Sequence, residues 1–254
     1  MFGKRILVLI PHPDDEVVAC CAAIGRAQAE GSHIFALYLS HGCIARETLW
    51  PWQRGGYAAI VARRRREADD VARFLNISPV GWSDRPARHV WTQLPMVYAE
   101  ITEAVKAHAI DQLWVPAYEG GNPDHDALNA VGSLFRASLS VLEFAEYNFF
   151  QNKANAQSFP FLNGHETILT LSPEEQTRKR AALKLYQSEQ GNLNYVKVER
   201  ECFRPLADTD YSRPPHPGTL WYARFQWVPF RHPRVDFTRS SEVSTAIAAF
   251  LRRD

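Results

Sequence analysis

Short apolar runs alternate with helix-type patterns through the first half of the chain, and this alternation restricts the fold more than any other feature. The run Arg5–Ile10 (RILVLI) is almost wholly apolar, which is typical of a strand buried on both faces of a sheet. Further strands are predicted at His33–Leu39, Val80–Trp82 and Gln112–Pro116, and helices at Glu16–Glu30, Tyr57–Leu75, Leu94–His108 and Asp124–Ala137. The alternation predicts an α/β fold with a doubly wound, mainly parallel sheet and helices on both faces.

The second half of the chain is less regular. Ser172, Pro173 and Glu175 form a strong helix start, with an N-cap, a proline at the first position and a glutamate at the third. Strands are predicted at Val141–Tyr147, Glu166–Leu171 and Leu220–Val228, and helices from Pro173 to about Gln190 and over Ser240–Arg252. No internal repeat or linker is evident, so we expect a single domain over residues 1–254, with a core over about 4–190 and a C-terminal elaboration over about 191–254.

Composition excludes several classes of protein. The 29 basic and 28 acidic side chains leave a net charge of +1, which gives no bulk attraction to nucleic acid. No apolar run approaches the ~18 residues that span a bilayer, and the N-terminal run is too short for a signal peptide. The cysteines form no CxxC pair and indicate buried thiols, although one of them lies near the predicted site: Cys20, Cys21, Cys43 and Cys202. We expect a cytoplasmic protein without a membrane span or a nucleic-acid partner.

The motif PHPDDE, residues 11–16, follows the first predicted strand directly. Ligands of open parallel α/β sheets bind beyond the carboxyl ends of the strands, so function is expected here. Pro13 restricts His12 to extended conformations. His12 and Asp15 are three residues apart and could face one point, and an imidazole and a carboxylate are natural Zn²⁺ ligands. Asp14 would then point elsewhere and remain available as a base.

A catalytic zinc usually takes three protein ligands and leaves one position open. The best third ligand is His125, in the segment YEGGNPDHD that follows the strand Gln112–Pro116. Taken singly, Asp124 could be only a helix N-cap and His125 only a surface residue. Two strand-end loops that each carry proline, aspartate and histidine favour a shared metal site.

HPDDE together with the later PDH resembles the PIG-L/LmbE-like zinc deacetylases, which include N-acetylglucosaminyl-phosphatidylinositol, mycothiol and bacillithiol pathway enzymes. The resemblance covers roughly residues 4–190. It implies a Rossmann-like fold, His12, Asp15 and His125 as zinc ligands, and Asp14 as general base. It also implies a small-molecule amino-sugar substrate or glycoconjugate, from which an amidase reaction removes an N-acyl group that we expect to be N-acetyl. In that reaction zinc activates a water molecule and polarises the amide carbonyl, and Asp14 accepts the proton of the water.

Asn122 departs from the family pattern, because many relatives carry histidine there. That histidine is thought to stabilise the oxyanion or to protonate the leaving amine, and an amide cannot deliver a proton at neutral pH. Three explanations stay open: Asp14 performs both proton transfers, another group such as His41, His165 or Tyr118 substitutes, or activity is impaired. The alternative function is therefore a non-catalytic sugar-binding relative that retains the metal site.

Substrate contacts are predicted at Arg66, Asn122 and Tyr118. Arg66 belongs to a run of four arginines at residues 63–66, in a helix that carries an arginine near the sugar in relatives. The segment 184–189 (KLYQSE) resembles a family segment that usually ends in Ser-Gln, and Glu189 replaces the glutamine here. The loop 40–56 is a plausible lid. A nucleotide-binding function is disfavoured, because the first strand–helix turn lacks GxGxxG and its acidic residues would repel a pyrophosphate.

Overall fold

The computed structural model of the chain describes residues 1–252, so the last two residues of the predicted domain lie outside it. Its strands are β1 (Arg5–Ile10), β2 (His33–Tyr38), β3 (Ser78–Trp82), β4 (Gln112–Pro116), β5 (Ser140–Phe144), β6 (Tyr147–Asn148), β7 (Asn155–Ala156), β8 (Thr167–Thr170) and β9 (Arg200–Pro205). Its α-helices are α1 (Asp15–Ala29), α2 (Tyr57–Leu75), α3 (Leu94–Ala107), α4 (Pro123–Ser133), α5 (Pro173–Leu185) and α6 (Ser240–Leu251). None of these helices is long and apolar enough to cross a membrane.

Seven strands form one sheet in the order β3-β2-β1-β4-β5-β9-β8. The pairs from β3 to β5 are parallel, whereas β9 is antiparallel to both of its neighbours. Strands and helices alternate strictly from β1 to β5, as the apolar pattern predicts. The chain winds from β1 outward through β2 to β3 and then returns to β4 on the other side. The strand order therefore reverses between β1 and β4, which is where ligand crevices form in such sheets.

The side chains of β1 alternate between two apolar cores. Ile6, Val8 and Ile10 face the core formed with α1, α2 and α5. Leu7 and Leu9 face the opposite core, formed with α3, α4 and α6. All five are fully buried, which explains why this strand reads as a continuous apolar run. The predicted α/β fold, with helices on both faces of a mainly parallel sheet, is confirmed.

Two stretches of the second half differ from the sequence-based prediction. The sheet continues past residue 190, because β9 lies between β5 and β8. The stretch 220–228 is not a strand but contains a 3₁₀ turn at Trp221–Ala223. Its alternating rings are used in local packing instead: the Trp221 ring lies 5.0 Å from that of Tyr147 and carries the Arg224 guanidinium on its face at 3.4 Å. Alternation alone could not distinguish this packing from a sheet.

A fully buried ion pair ties the second half of the chain to α1. Lys179 Nζ of α5 lies 2.8 Å from Glu201 Oε1 of β9, and neither side chain is exposed to solvent. The Lys179 ammonium also donates to the carbonyl of Val18, at 2.8 Å. Glu201 accepts the backbone N–H groups of Ala22 and Ala23. The pair thus attaches α5 and β9 to the middle of α1, the helix that begins at the PHPDDE turn.

Lys179→Met is expected to lower the free energy of unfolding by about 3–5 kcal/mol, because the Glu201 carboxylate would stay buried without its counter-charge. Urea denaturation monitored by circular dichroism measures the change. Lys184→Met is the matched control, since Lys184 lies exposed on the same helix, and we expect it to change stability by less than about 0.5 kcal/mol. Equal losses for the two variants would contradict the role of the buried pair.

Candidate metal centre

Two strand-end loops meet where the strand order reverses. The turn after β1 carries His12, Asp14 and Asp15, and the loop after β4 leads into α4, whose first turn carries His125. β1 and β4 are adjacent and parallel, so both loops emerge at the same edge of the sheet. Asp15 and His125 are at most 4% exposed, and His12 is 8% exposed. The arrangement places ionisable side chains in a nearly water-excluded position at the head of α1 and α4.

His12, Asp15 and His125 each direct one ligand atom to a common point. His12 Nδ1 lies 3.2 Å from His125 Nε2 and 3.4 Å from Asp15 Oδ2, and His125 Nε2 lies 3.3 Å from Asp15 Oδ2. Tetrahedral zinc with bonds of 2.0–2.1 Å separates its ligands by about 3.3 Å. The three atoms therefore form a nearly equilateral triangle with the edge length of one face of a zinc tetrahedron. Zinc held by these three atoms would keep its fourth position open.

The other ring nitrogen of His12 is held by a carboxylate. Asp124 Oδ2 lies 3.0 Å from His12 Nε2, so in the neutral ring that a metal ligand requires Nε2 carries the hydrogen and Nδ1 presents its lone pair to the triangle. Burial acts to lower the pKa of His12, but Asp124 and Asp15 outweigh it and raise the pKa to about 10. His125 and His12 hold the pKa of Asp15 well below its usual range, against the effect of its burial. The surroundings of the triangle are thus anionic and favour a cation.

Glu146 lies behind His125 in a similar position. Its Oε1 is 3.7 Å from His125 Nδ1, and the side chain is completely buried. Both carboxylate oxygens and His125 Nδ1 lack a hydrogen-bond partner among the described residues. Burial, with the nearby Asp15 and Glu119 carboxylates, raises the pKa of Glu146 well above its usual range. These buried polar atoms without partners lie beside a candidate metal ligand, and a metal ion there would change the charge balance around them.

Asp14 adopts an unusual backbone conformation, with φ 131° and ψ −25°. A non-glycine residue rarely adopts this conformation, and such strain clusters at functional sites. The Asp14 N–H donates to Glu16 Oε2 at 3.1 Å, and the other oxygen of Glu16 accepts the Tyr186 hydroxyl. Glu16, to which the sequence assigned no chemical role, therefore helps to hold the strained turn. The Asp14 side chain makes no capping hydrogen bond to α1.

Arg64 of α2 binds the Asp14 carboxylate. Its Nη2 lies 2.8 Å from Asp14 Oδ2 and also donates to the Pro13 carbonyl. Its Nη1 lies 2.8 Å from Glu189 Oε1. Burial raises the pKa of Asp14 to about 8, although the Arg64 guanidinium acts to lower it. A divalent cation at the adjacent triangle would lower the raised pKa of Asp14, which favours the carboxylate form that a base requires.

Residues 7–135, slightly more than half of the chain, match the family model of PIG-L, described as GlcNAc-PI de-N-acetylase. The chain belongs to the PIG-L family. The matched region contains the PHPDDE turn and the loop with His125, so both halves of the ligand triangle fall inside it. A comparison with curated proteins finds no significant match.

Solved structures share the fold of this PIG-L family member. A deacetylase of teicoplanin biosynthesis, crystallised as a "deacetylase-bog complex", has a TM-score of 0.61 at 17% identity over 79% of this chain and 97% of its own. N,N'-diacetylchitobiose deacetylase from Pyrococcus horikoshii has a TM-score of 0.50 at 18% identity, over 73% of this chain and 70% of its own. A 4-carboxy-2-hydroxymuconate hydratase from a Pseudomonas species has a TM-score of 0.53 at 16% identity, over 82% and 98%. At identities this low the comparisons show only a shared fold. Proteins with this fold catalyse different reactions, since two of these are deacetylases and one is a hydratase.

The structure places the three predicted substrate contacts in different environments. Asn122 is the N-cap of α4, and its Oδ1 accepts the Asp124 N–H at 2.9 Å. The Tyr118 hydroxyl donates to the carbonyl of Arg213 at 2.6 Å. Arg66 is exposed on α2, and Arg64, two residues earlier, is the arginine that reaches the PHPDDE turn. The nominated arginine and the one that contacts Asp14 are therefore two positions apart on α2, with Arg65 between them.

The alternative proton donors also have defined surroundings. His41 Nδ1 accepts the Cys43 N–H at 3.1 Å, and its Nε2 lies 3.3 Å from the Tyr57 hydroxyl. Burial lowers the pKa of His41, which disfavours the protonated ring that a proton donor requires. His165 is exposed in the loop that precedes β8. Neither histidine belongs to the cluster of metal-ligating groups.

Sequence reasoning missed Arg64, Asp124 and Glu146 as parts of the site. Asp124, for which a helix N-cap alone was one possible role, binds His12 and accepts the N–H groups of Arg88 and Val90. Glu146 follows β5, the strand next to β4. A carboxylate just after a third parallel strand is the sequence feature by which it could have been predicted. That signal was hidden because Val141–Tyr147 was predicted as one uninterrupted strand, whereas β5 ends at Phe144.

Asp124→Asn is expected to weaken zinc binding by about 10–100-fold, because the substitution removes the carboxylate that orients His12 and raises its basicity. Competitive titration with a chromophoric chelator measures the affinity. Asp111→Asn is the matched control: Asp111 also accepts backbone N–H groups, from Lys4 and Arg5, but it lies at the opposite end of the sheet. An equal loss of affinity in both variants would show that general destabilisation is responsible.

Proposed function

We propose that this protein is a zinc-dependent hydrolase that removes an N-acyl group, most simply N-acetyl, from an amino sugar or its conjugate. The observation that carries the proposal is the triangle of His12 Nδ1, Asp15 Oδ2 and His125 Nε2 beside the Asp14 carboxylate. Membership of the PIG-L family supports the same class of reaction. Zn²⁺ at these ligands supplies Lewis acidity, which polarises an amide carbonyl and activates water.

Asp14 is the proposed general base. Arg64 contacts its Oδ2, so Oδ1 is the oxygen available to a reacting water molecule. The strained backbone and the contact with Glu16 fix the carboxylate relative to Asp15, the neighbouring ligand. Asp14 accepts a proton from the attacking water, as proximity and fixed orientation require for efficient transfer.

The leaving amine also needs a proton, and Asn122 cannot supply it. Its Oδ1 already caps α4, and its amide does not ionise near neutral pH. We propose that Asp14 returns the proton it has accepted to the amine nitrogen, so that one carboxyl group serves both steps. The second candidate function, a sugar-binding relative with impaired catalysis, is favoured by Asn122 itself.

The proposed substrate class comes from the names of the relatives. The family description refers to GlcNAc-PI, and two structural neighbours are a teicoplanin-pathway deacetylase and an N,N'-diacetylchitobiose deacetylase. In each case the substrate contains a sugar. An N-acetylated hexosamine with a substituent is therefore the proposed substrate of this chain.

Acetate and free-amine release from N-acetylglucosamine and its glycosides, by the zinc-loaded protein, tests the proposal. We expect turnover that is lost in His12→Ala. Tight sugar binding without turnover, in both the native protein and Asn122→His, would support the non-catalytic alternative. Absence of turnover, sugar binding and zinc binding would contradict both functions.

A further inference from the structure

A cavity of about 500 Å³ lies beside the PHPDDE turn and contains none of the proposed zinc ligands. Pro13, His41 and Asp84 line it, and they follow β1, β2 and β3 respectively. The cavity thus opens at the same edge of the sheet as the ligand triangle, on its α2 side. Pro13 stands in the chain between the proposed ligand His12 and the proposed base Asp14, so the cavity shares this residue with the turn that carries them.

One wall of the cavity is a single face of α2. Ala58, Val61, Ala62 and Arg65 line it at positions i, i+3, i+4 and i+7, which fall on one side of a helix. Both alanines are exposed although the face is apolar. This face of the first turns of α2 is therefore directed into the cavity rather than into the core.

The opposite wall is Trp82, and neither face of its indole ring is open. Tyr38 stacks on one face with ring centroids 3.7 Å apart, and the Arg65 guanidinium lies 3.4 Å from the ring centroid. Sugar rings bind aromatic side chains through an open face, which Trp82 does not offer. The wall is also rigid, because Tyr38 is fully buried beneath it.

Most polar side chains of the lining are already engaged. His41 bonds to the Cys43 N–H and to the Tyr57 hydroxyl. Ser83 Oγ accepts from the backbone N–H and the guanidinium of Arg85. A cavity of this size with few available polar groups suits an apolar occupant better than a second sugar.

We infer that this cavity binds an apolar substituent of the substrate, carried either on the acyl side of the scissile amide or as the aglycone of the amino sugar. The inference rests on the proposed function. Its basis is the shared residue Pro13, the apolar face of α2 and the closed faces of Trp82. In this arrangement the substituent extends from the scissile amide, which lies near Asp14, into the cavity and packs between Ala62 and Trp82.

Two substrate series distinguish the sources of the apolar group. The first extends the acyl chain of glucosamine from N-acetyl to N-hexanoyl, and the second compares N-acetylglucosamine with its 4-methylumbelliferyl β-glycoside. We expect kcat/KM to rise by at least about tenfold in one series, because each buried methylene or ring carbon adds apolar transfer energy. A rise in the first series assigns the cavity to the acyl chain, and a rise in the second assigns it to the aglycone.

Ala62→Trp fills the cavity. In this variant we expect the substrate with the apolar group and plain N-acetylglucosamine to have nearly the same kcat/KM. Ala59→Trp is the matched control, since Ala59 is exposed on the same helix but outside the lining, and we expect it to keep the native ratio. Thermal unfolding shows whether both variants are folded. No preference in either series, or a preference that survives Ala62→Trp, would overturn the inference.

The cavity can also be tested if the proposed hydrolase function is wrong, because binding is measured without turnover. If no substrate is hydrolysed, calorimetric titration with the 4-methylumbelliferyl glycoside and with N-hexanoylglucosamine still tests the cavity. Binding of either probe that Ala62→Trp weakens by about tenfold and Ala59→Trp does not supports it. Equal binding of both probes and plain N-acetylglucosamine by all three proteins contradicts the inference whatever the catalytic result.

Discussion

Zinc affinity is expected to fall by about 100- to 1000-fold in His125→Ala, with loss of hydrolysis. Each ligand of a structural zinc site contributes on the order of 3 kcal/mol to binding, and this substitution leaves only His12 and Asp15. Metal content after dialysis, and affinity by chelator competition, measure the effect.

The control for His125→Ala is His165→Ala, because His165 is an exposed histidine outside the cluster of metal-ligating groups. We expect that variant to retain zinc and activity. Treating the native protein with a chelator should abolish hydrolysis, as His125→Ala does. Added zinc should restore hydrolysis in the native protein but not in the variant. Full zinc occupancy in His125→Ala would refute the assignment of the third ligand.

Asp14→Asn is expected to lower kcat by about 10²–10⁴-fold, the usual contribution of a positioned acid–base group, while zinc content stays unchanged. The amide retains the size of the carboxylate and can still accept from Arg64, but it cannot take up a proton. Steady-state acetate release with the zinc-loaded protein measures kcat.

Asp69→Asn is the matched control, because Asp69 is also an aspartate paired with an arginine of α2, but on the outer surface. We expect it to keep the native kcat. A kcat within about tenfold of native for Asp14→Asn would exclude Asp14 as the general base and direct attention to Glu146, the buried carboxylate behind His125.

Much of the fold could be predicted because its signals are local. The bounds of α2 and β4 agree with the apolar periodicity to the residue. The prediction failed at residues 220–228, where rings that alternate like a strand pack against Tyr147 and Arg224 instead. A pattern of period two reports which side chains are covered, but it does not report whether a sheet or other rings cover them.

The candidate site, like the fold, could be predicted from the sequence only in part. His12, Asp15 and His125 could be nominated because parallel strands deliver their carboxyl ends to one edge, so loops far apart in sequence meet there. Arg64 could not be distinguished from Arg66 by sequence, because the rotation of α2 against the sheet decides which arginine faces Asp14. That rotation is set by packing between α1, α2 and α5.

The amino-acid sequence by itself determined the strand–helix alternation, the PHPDDE turn at the end of β1 and the second loop that carries His125. These follow from residue-scale periodicity and turn chemistry, which act within a few neighbouring residues. Only the tertiary structure decided that Asp124 orients His12, that Glu146 lies behind His125 and that Arg64 binds Asp14. Such contacts join side chains from distant elements, and their partners depend on the packing of helices and strands around the sheet.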